Sequence, residues 1–143
     1  MENNDAKVFS WVSKVRDYEC DIGFFVHNAN YLKYMEQARH DYLRALKFDF
    51  AKYAKKKVGF VLVNMTVDFR RSLTIDDEFI VETILERPSK RRVLFTQNIY
   101  RLPDRTLMVT AKNTVVPINA EGQAEMPDEI EKLLVDFPIP SPN

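Results

Sequence analysis

An acid, Asp21, stands seven residues ahead of an asparagine, Asn28, at which the hydrophobic pattern turns helical. A helix start leaves its first backbone N–H groups unpartnered and carries the positive end of the helix dipole. A carboxylate beside such a start pairs a base or nucleophile with donors for a developing negative charge. It serves as readily as the cap of a turn, and the residues alone favour that blander role. His27 adjoins Asn28 in the loop and is either a bystander or a group that orients water. Glu36, eight residues into the helix, is a second acid, with Arg39 at i+3 as its expected ion-pair partner. Cys20 adjoins Asp21, but no histidine is spaced to activate it, so a thiol nucleophile is not expected.

The elements that must position these residues follow from periodicity. Lys7–Arg16 alternates as a strand, with Val8, Trp11, Val12 and Val15 as candidate inward residues. Tyr18–His27 is a loop. From Asn28, which is placed to cap the helix, Tyr31, Met35, Ala38, Tyr42 and Leu46 form an apolar stripe of about five turns. Phe48–Lys57 is a short second helix ending in Lys55–Lys57. Val58–Phe69, Glu78–Glu86, Arg91–Arg101 and Thr106–Ile118 alternate as strands, and Arg87–Lys90 is a loop between two of them. Pro127–Asp136 is a short terminal helix, with proline at its start and acids in its first turn. Short hairpins imply an antiparallel meander packed on the long helix, with Thr106–Ile118 or Val58–Phe69 left as an edge for pairing.

Composition removes several classes of function. Lys+Arg and Asp+Glu balance at 21 each, against a general nucleic-acid binder. Only Gly23, Gly59 and Gly122 are glycines, so no phosphate-binding glycine loop is written. One cysteine excludes an internal disulfide or a multi-cysteine zinc site and suits a reducing compartment. The opening MENNDAKVFS lacks the apolar core of a signal peptide, and no apolar run reaches membrane-spanning length. A single cytoplasmic domain over 1–143 is expected, with 137–143 an extended or disordered tail.

The stretch Tyr18–Arg39 resembles the signature of hot-dog fold acyl-CoA thioesterases of the 4-hydroxybenzoyl-CoA thioesterase type. The likeness rests on Glu19-Cys20-Asp21, Gly23, Phe25-Val26, Asn28, Tyr31 and Glu36-Gln37-Ala38-Arg39, with Met65–Phe69 and Asp76-Asp77 downstream. It covers almost the whole chain. Phe24 departs from it, standing where the family often has glycine, as do Glu19, commonly Asp, and His27, one residue before a position that is His in a subgroup.

The resemblance implies an α+β hot-dog fold, a long central helix wrapped by a curved antiparallel sheet. It implies hydrolysis of an acyl-CoA thioester to free acid and CoA, without a metal or redox cofactor. Asp21 would be nucleophile or general base, and the Asn28 N–H the oxyanion donor; His27 and Glu36 are the further catalytic candidates. Substrate contacts would come from Phe24, Phe25, Val26 and Tyr31, the last also a core residue. Val58, Gly59 and Phe60 would contribute across the interface of a dimer or tetramer. Phe24 in place of glycine would narrow the acyl pocket. Arg87, Lys90, Arg91 and Arg92 would meet the nucleotide phosphates. An acyl-carrier-protein thioesterase and a non-catalytic acyl-binding protein are the alternatives.

Overall fold

A computed structural model describes residues 7–141; the first six residues of the opening segment and the last two of the tail lie outside the described residues. Strands β1 (Val8–Lys14), β2 (Gly59–Phe69), β3 (Glu78–Ser89), β4 (Arg92–Leu102) and β5 (Thr106–Ile118) form one antiparallel sheet in the order β1-β3-β4-β5-β2. Helix α1 (Asn28–Ala45) lies in its concavity, followed by α2 (Phe50–Lys55); α3 (Asp128–Leu133) closes the far end. A long helix wrapped by a curved antiparallel sheet is the hot-dog arrangement expected from the sequence.

Four expectations change. Only β3-β4-β5 is a meander, because β2 pairs with β5 and the chain must cross over to reach β3. Thr106–Ile118 is therefore interior, and the edges are β1 and β2. In β1, Val8 and Val12 point outward, 52% and 57% exposed, while Phe9 and Trp11 turn in. The one-residue parity follows from the register with β3, which pairs Trp11 with the buried Val81. Phe137, placed in the loose tail, is buried against Tyr42 at 6.3 Å between ring centres.

Helix α1 buries Tyr31, Tyr34, Met35, Ala38, Tyr42 and Leu43. Spaced three and four apart, these side chains lie on one face and fill the concavity in two apolar clusters. Polar groups also cross this core. Gln97 Nε2 donates to Met35 O and to Thr83 Oγ1 at 3.0 Å each, and its Oε1 accepts from Arg39 Nη1 and Asn113 Nδ2. A buried amide is tolerable only when so satisfied.

The crossover between β2 and β3 clasps the loop before α1. Val26 N–H donates to Leu73 O at 2.9 Å, and Ile75 N–H to Phe24 O at 3.0 Å. The buried Tyr31 hydroxyl accepts the Leu73 N–H at 2.8 Å. The 20–26 loop is thus fixed at the end of the sheet where β2 stops and β3 starts.

Candidate active site

Asp21 opens a tight turn that Val26 closes, the two ends meeting as a β-bridge between Cys20 and Val26. Asp21 Oδ1 accepts N–H bonds from Gly23 at 2.9 Å and Phe25 at 3.2 Å. The cap role and the chemical role therefore do not compete: one oxygen orients the carboxylate, and no described residue donates to Oδ2. Phe24, at the tip, has φ of 69°, the left-handed region that favours glycine. This is a physical reason for the glycine that the family resemblance implies at this position.

The helix begins one residue later than its cap. His27, not Asn28, is the N-cap, and its side chain makes no capping bond. Asn28 and Ala29 occupy the first two helical positions, where an N–H has no intrahelical acceptor. No acceptor for either is found among the described residues. Asp21, His27 and Asn28 are exposed on this one loop, as are Phe24 and Phe25, at 60% and 49%. Desolvation first, then the carboxylates of Glu19 and Asp21, push the Cys20 thiol up, which disfavours the thiolate a nucleophile needs.

Other expected site residues fall elsewhere. Val26 and Tyr31 are buried beneath the loop, 4% and 1% exposed, and anchor it rather than lining a surface. Glu36 makes no ion pair with Arg39, whose Nη1 turns inward to Gln97. Glu36 instead lines a cavity of about 290 Å³ with Arg39, His40, Val58, Gly59 and Phe60, among aromatic walls from Phe48 and Phe95. Burial holds the His40 imidazole below its ordinary value, and its ring lies 4.9 Å from that of Phe50.

Arg87 is the clearest correction. Strand β3 runs through it to Ser89, and it is 3% exposed. Its guanidinium grips Glu131 at 2.7 and 2.9 Å and also donates to Lys90 O. A cation so occupied is not available to a phosphate. Lys90, Arg91 and Arg92 remain exposed at the β3–β4 turn and line a groove with Val116 and Ala124.

The registers place these groups at opposite ends of the sheet. Gly59 pairs with Ile118 and Ser89 with Arg92 at one end; Phe69 pairs with Val109 and Glu78 with Leu102 at the other. Lys55–Lys57 and Lys90–Arg92 share the first end with the Val58–Phe60 wall of the cavity, which runs back along α1 to Glu36, and the Asp21 loop sits at the second. The 11 residues of β4 separate the ends by about 35 Å.

A family model described as the thioesterase-like superfamily matches residues 15–134. The chain belongs to that superfamily. Among relatives, the chloroplastic acyl-acyl carrier protein thioesterase ATL3 of Arabidopsis thaliana is 29% identical over 125 residues, 87% of this chain but 66% of the longer plant protein. The long-chain acyl-CoA thioesterase FadM of Escherichia coli is 27% identical over 127 residues, 85% of this chain and 96% of its own. A crystal structure of a hypothetical protein from Aquifex aeolicus superposes with a TM-score of 0.80 at 27% identity, covering 88% of this chain and 98% of that one. The hot-dog resemblance read from the Tyr18–Arg39 signature is borne out by family and fold together.

Sequence reasoning placed Glu19 in the signature and in the loop but missed its burial, at 8% exposed. It also overlooked the buried Thr83, Gln97 and Asn113. Those three had a legible signal: each sits at the inward parity of its strand, between residues such as Val81 and Leu85 or Phe95 and Ile99.

Proposed function

We propose that the protein hydrolyses acyl-CoA thioesters, with Asp21 and the α1 N-terminus acting on the carbonyl and a second copy of the chain completing the site. The observation that carries this is the oriented Asp21 carboxylate on the same short loop as the unpartnered amides of Asn28 and Ala29. The thioester oxygen accepts the Asn28 N–H, which stabilises the charge it gains as the carbon becomes tetrahedral; one such donor contributes about 3 kcal/mol. Asp21 Oδ2 then works in one of two ways. As nucleophile it bonds to the carbonyl carbon, the C–S bond breaks, CoA leaves as thiolate, and water hydrolyses the acyl-aspartyl anhydride. As general base it takes the proton of the water that attacks. Both end in free acid and CoA.

The second copy follows from the separation of the two ends. Edge strand β2 exposes Val61, Leu62, Val63, Met65 and Phe69, between 39% and 54%. An exposed apolar edge is a pairing surface. Antiparallel pairing of β2 with its own copy about a twofold axis sets the Phe69 end of one protomer beside the partner's Gly59 end. The Asp21 loop then approaches the partner's cavity and its basic turn. Acyl group and nucleotide phosphates are bound there, the phosphates by Lys90, Arg91 and Arg92.

Glu36 as the reacting acid is the second reading, favoured by its place in the cavity without an ion-pair partner among the described residues. The experiment is thiol release from a panel of acyl-CoAs and acyl carrier proteins, by wild type and by Asp21→Asn. Wild-type turnover, lowered about 100-fold or more by Asp21→Asn, is the expected result. Turnover within a few-fold of wild type transfers the role to Glu36 or His27. Preference for acyl carrier protein makes that the substrate, and no release from any thioester leaves an acyl-binding protein.

A further inference from the structure

We infer that Glu19 is a positioning residue, a buried clamp that holds the Asp21 loop at a fixed place against the first two turns of α1. The inference rests on the proposed roles of Asp21 and Asn28. Its Oε1 accepts the Tyr34 hydroxyl at 2.7 Å and the Arg16 N–H at 2.8 Å, and Arg16 Nη1 lies 3.7 Å from Oε2. Its main-chain oxygen accepts the His27 N–H at 3.0 Å and Asn30 Nδ2 at 2.8 Å. One residue therefore meets the helix at its cap, its first turn and its second turn.

The anchor at the far side of the clamp is rigid. Tyr34 is 3% exposed, its ring 4.4 Å from Phe79 and 6.1 Å from Tyr31 between centres. Desolvation first, then its bond to Glu19, pushes the Tyr34 phenol up, so it stays a donor at any working pH. A carboxylate taken out of water costs free energy that an apolar side chain would not, and simple packing of a loop does not require one. What this carboxylate does is fix Asp21, two residues on, relative to Asn28, one residue past His27. Those are the two groups that must meet one carbonyl, and a displacement of about 1 Å there costs about 100-fold in rate. Tightening the loop on the helix is therefore equivalent to setting the carboxylate-to-donor distance.

Glu19→Ala, Glu19→Gln and Tyr34→Phe test this, with kcat and KM on the best acyl-CoA and amide hydrogen exchange over 20–28. Glu19→Ala should lower kcat about 100-fold while KM changes little, because the donor geometry matters most in the transition state. Glu19→Gln, whose amide oxygen still accepts both bonds, should recover most of that loss, and Tyr34→Phe should fall between them. Exchange at Phe24, Phe25 and His27 should rise in the same order. Wild-type kcat in folded Glu19→Ala, or losses in which Glu19→Gln is no better than Glu19→Ala, overturns the inference. If Glu19→Ala does not fold, the ranking of Glu19→Gln against Tyr34→Phe decides in the same way. If wild type cleaves no thioester, the functional proposal fails separately; exchange unchanged in the variants then refutes the clamp, and faster exchange supports it.

Discussion

Replacing Phe24 by glycine and by alanine isolates the backbone term at the tip of the Asp21 loop. Phe24 has φ of 69° and is 60% exposed. Both substitutions remove the same ring beyond Cβ, so the burial it contributes cancels in the comparison. Alanine keeps the left-handed penalty of about 1–2 kcal/mol that any residue with a Cβ carries. Glycine escapes it but brings an unfolded chain with more freedom, about 0.4–1 kcal/mol against it. The difference leaves Phe24→Gly more stable than Phe24→Ala by about 0.5–1 kcal/mol, or about 3 °C in Tm. At an ordinary right-handed site the order reverses: Ala51→Gly, inside α2, should cost about 1 kcal/mol. Urea titrations followed by the single Trp11, at equal protomer concentration, measure all three. A Phe24→Gly variant no more stable than Phe24→Ala would refute the claim that this position demands a left-handed backbone.

Lysine at both Val61 and Val63 should block pairing of the β2 edge. Light scattering should then report a monomer, and thioester cleavage should fall at least 100-fold, since the Asp21 loop loses the partner's cavity; a fully active monomer refutes the composite site. The pH dependence of stability should show the Arg87–Glu131 pair. The Arg87 bonds hold the Glu131 carboxyl below its ordinary value of 4.5. A depressed folded value contributes stability that is complete above that ordinary value and lost as pH falls through the folded one. Urea midpoints from pH 6 to 3 should fall less steeply in Glu131→Gln than in wild type; parallel curves contradict the pairing.

Much of the fold was legible because its signals are local. The stripe at three- and four-residue spacing marks α1, and the alternation marks the long strands within a residue or two of their observed bounds, except at the end of β3, which runs three residues further, to Ser89. What local signals do not carry is which strand lies beside which. Val58–Phe69 and Thr106–Ile118 look alike in sequence, yet pairing makes one an edge and the other interior. Arg87 shows the same limit at the site. As one of four cations near a turn it read as exposed, but strand β3 extends far enough to bring it under Glu131 of α3, 44 residues away in sequence. Glu19 read as a loop acid because the tyrosine that buries its carboxylate lies 15 residues on, across the turn.

The sequence alone determined the chemistry on offer: Asp21 ahead of a helix start, a family signature around it, and too few glycines and cysteines for a glycine phosphate loop or a multi-cysteine zinc site. Those are properties of neighbouring residues, and neighbours in sequence stay neighbours in space. The tertiary structure decided that no described residue donates to the carboxylate's second oxygen, that Arg87 is spent on an ion pair, and that the Asp21 loop and the Lys90–Arg92 turn lie at opposite ends of one sheet. Each of these depends on residues brought together only when the sheet closes around α1, where burial and register, rather than residue type, set what a side chain can reach.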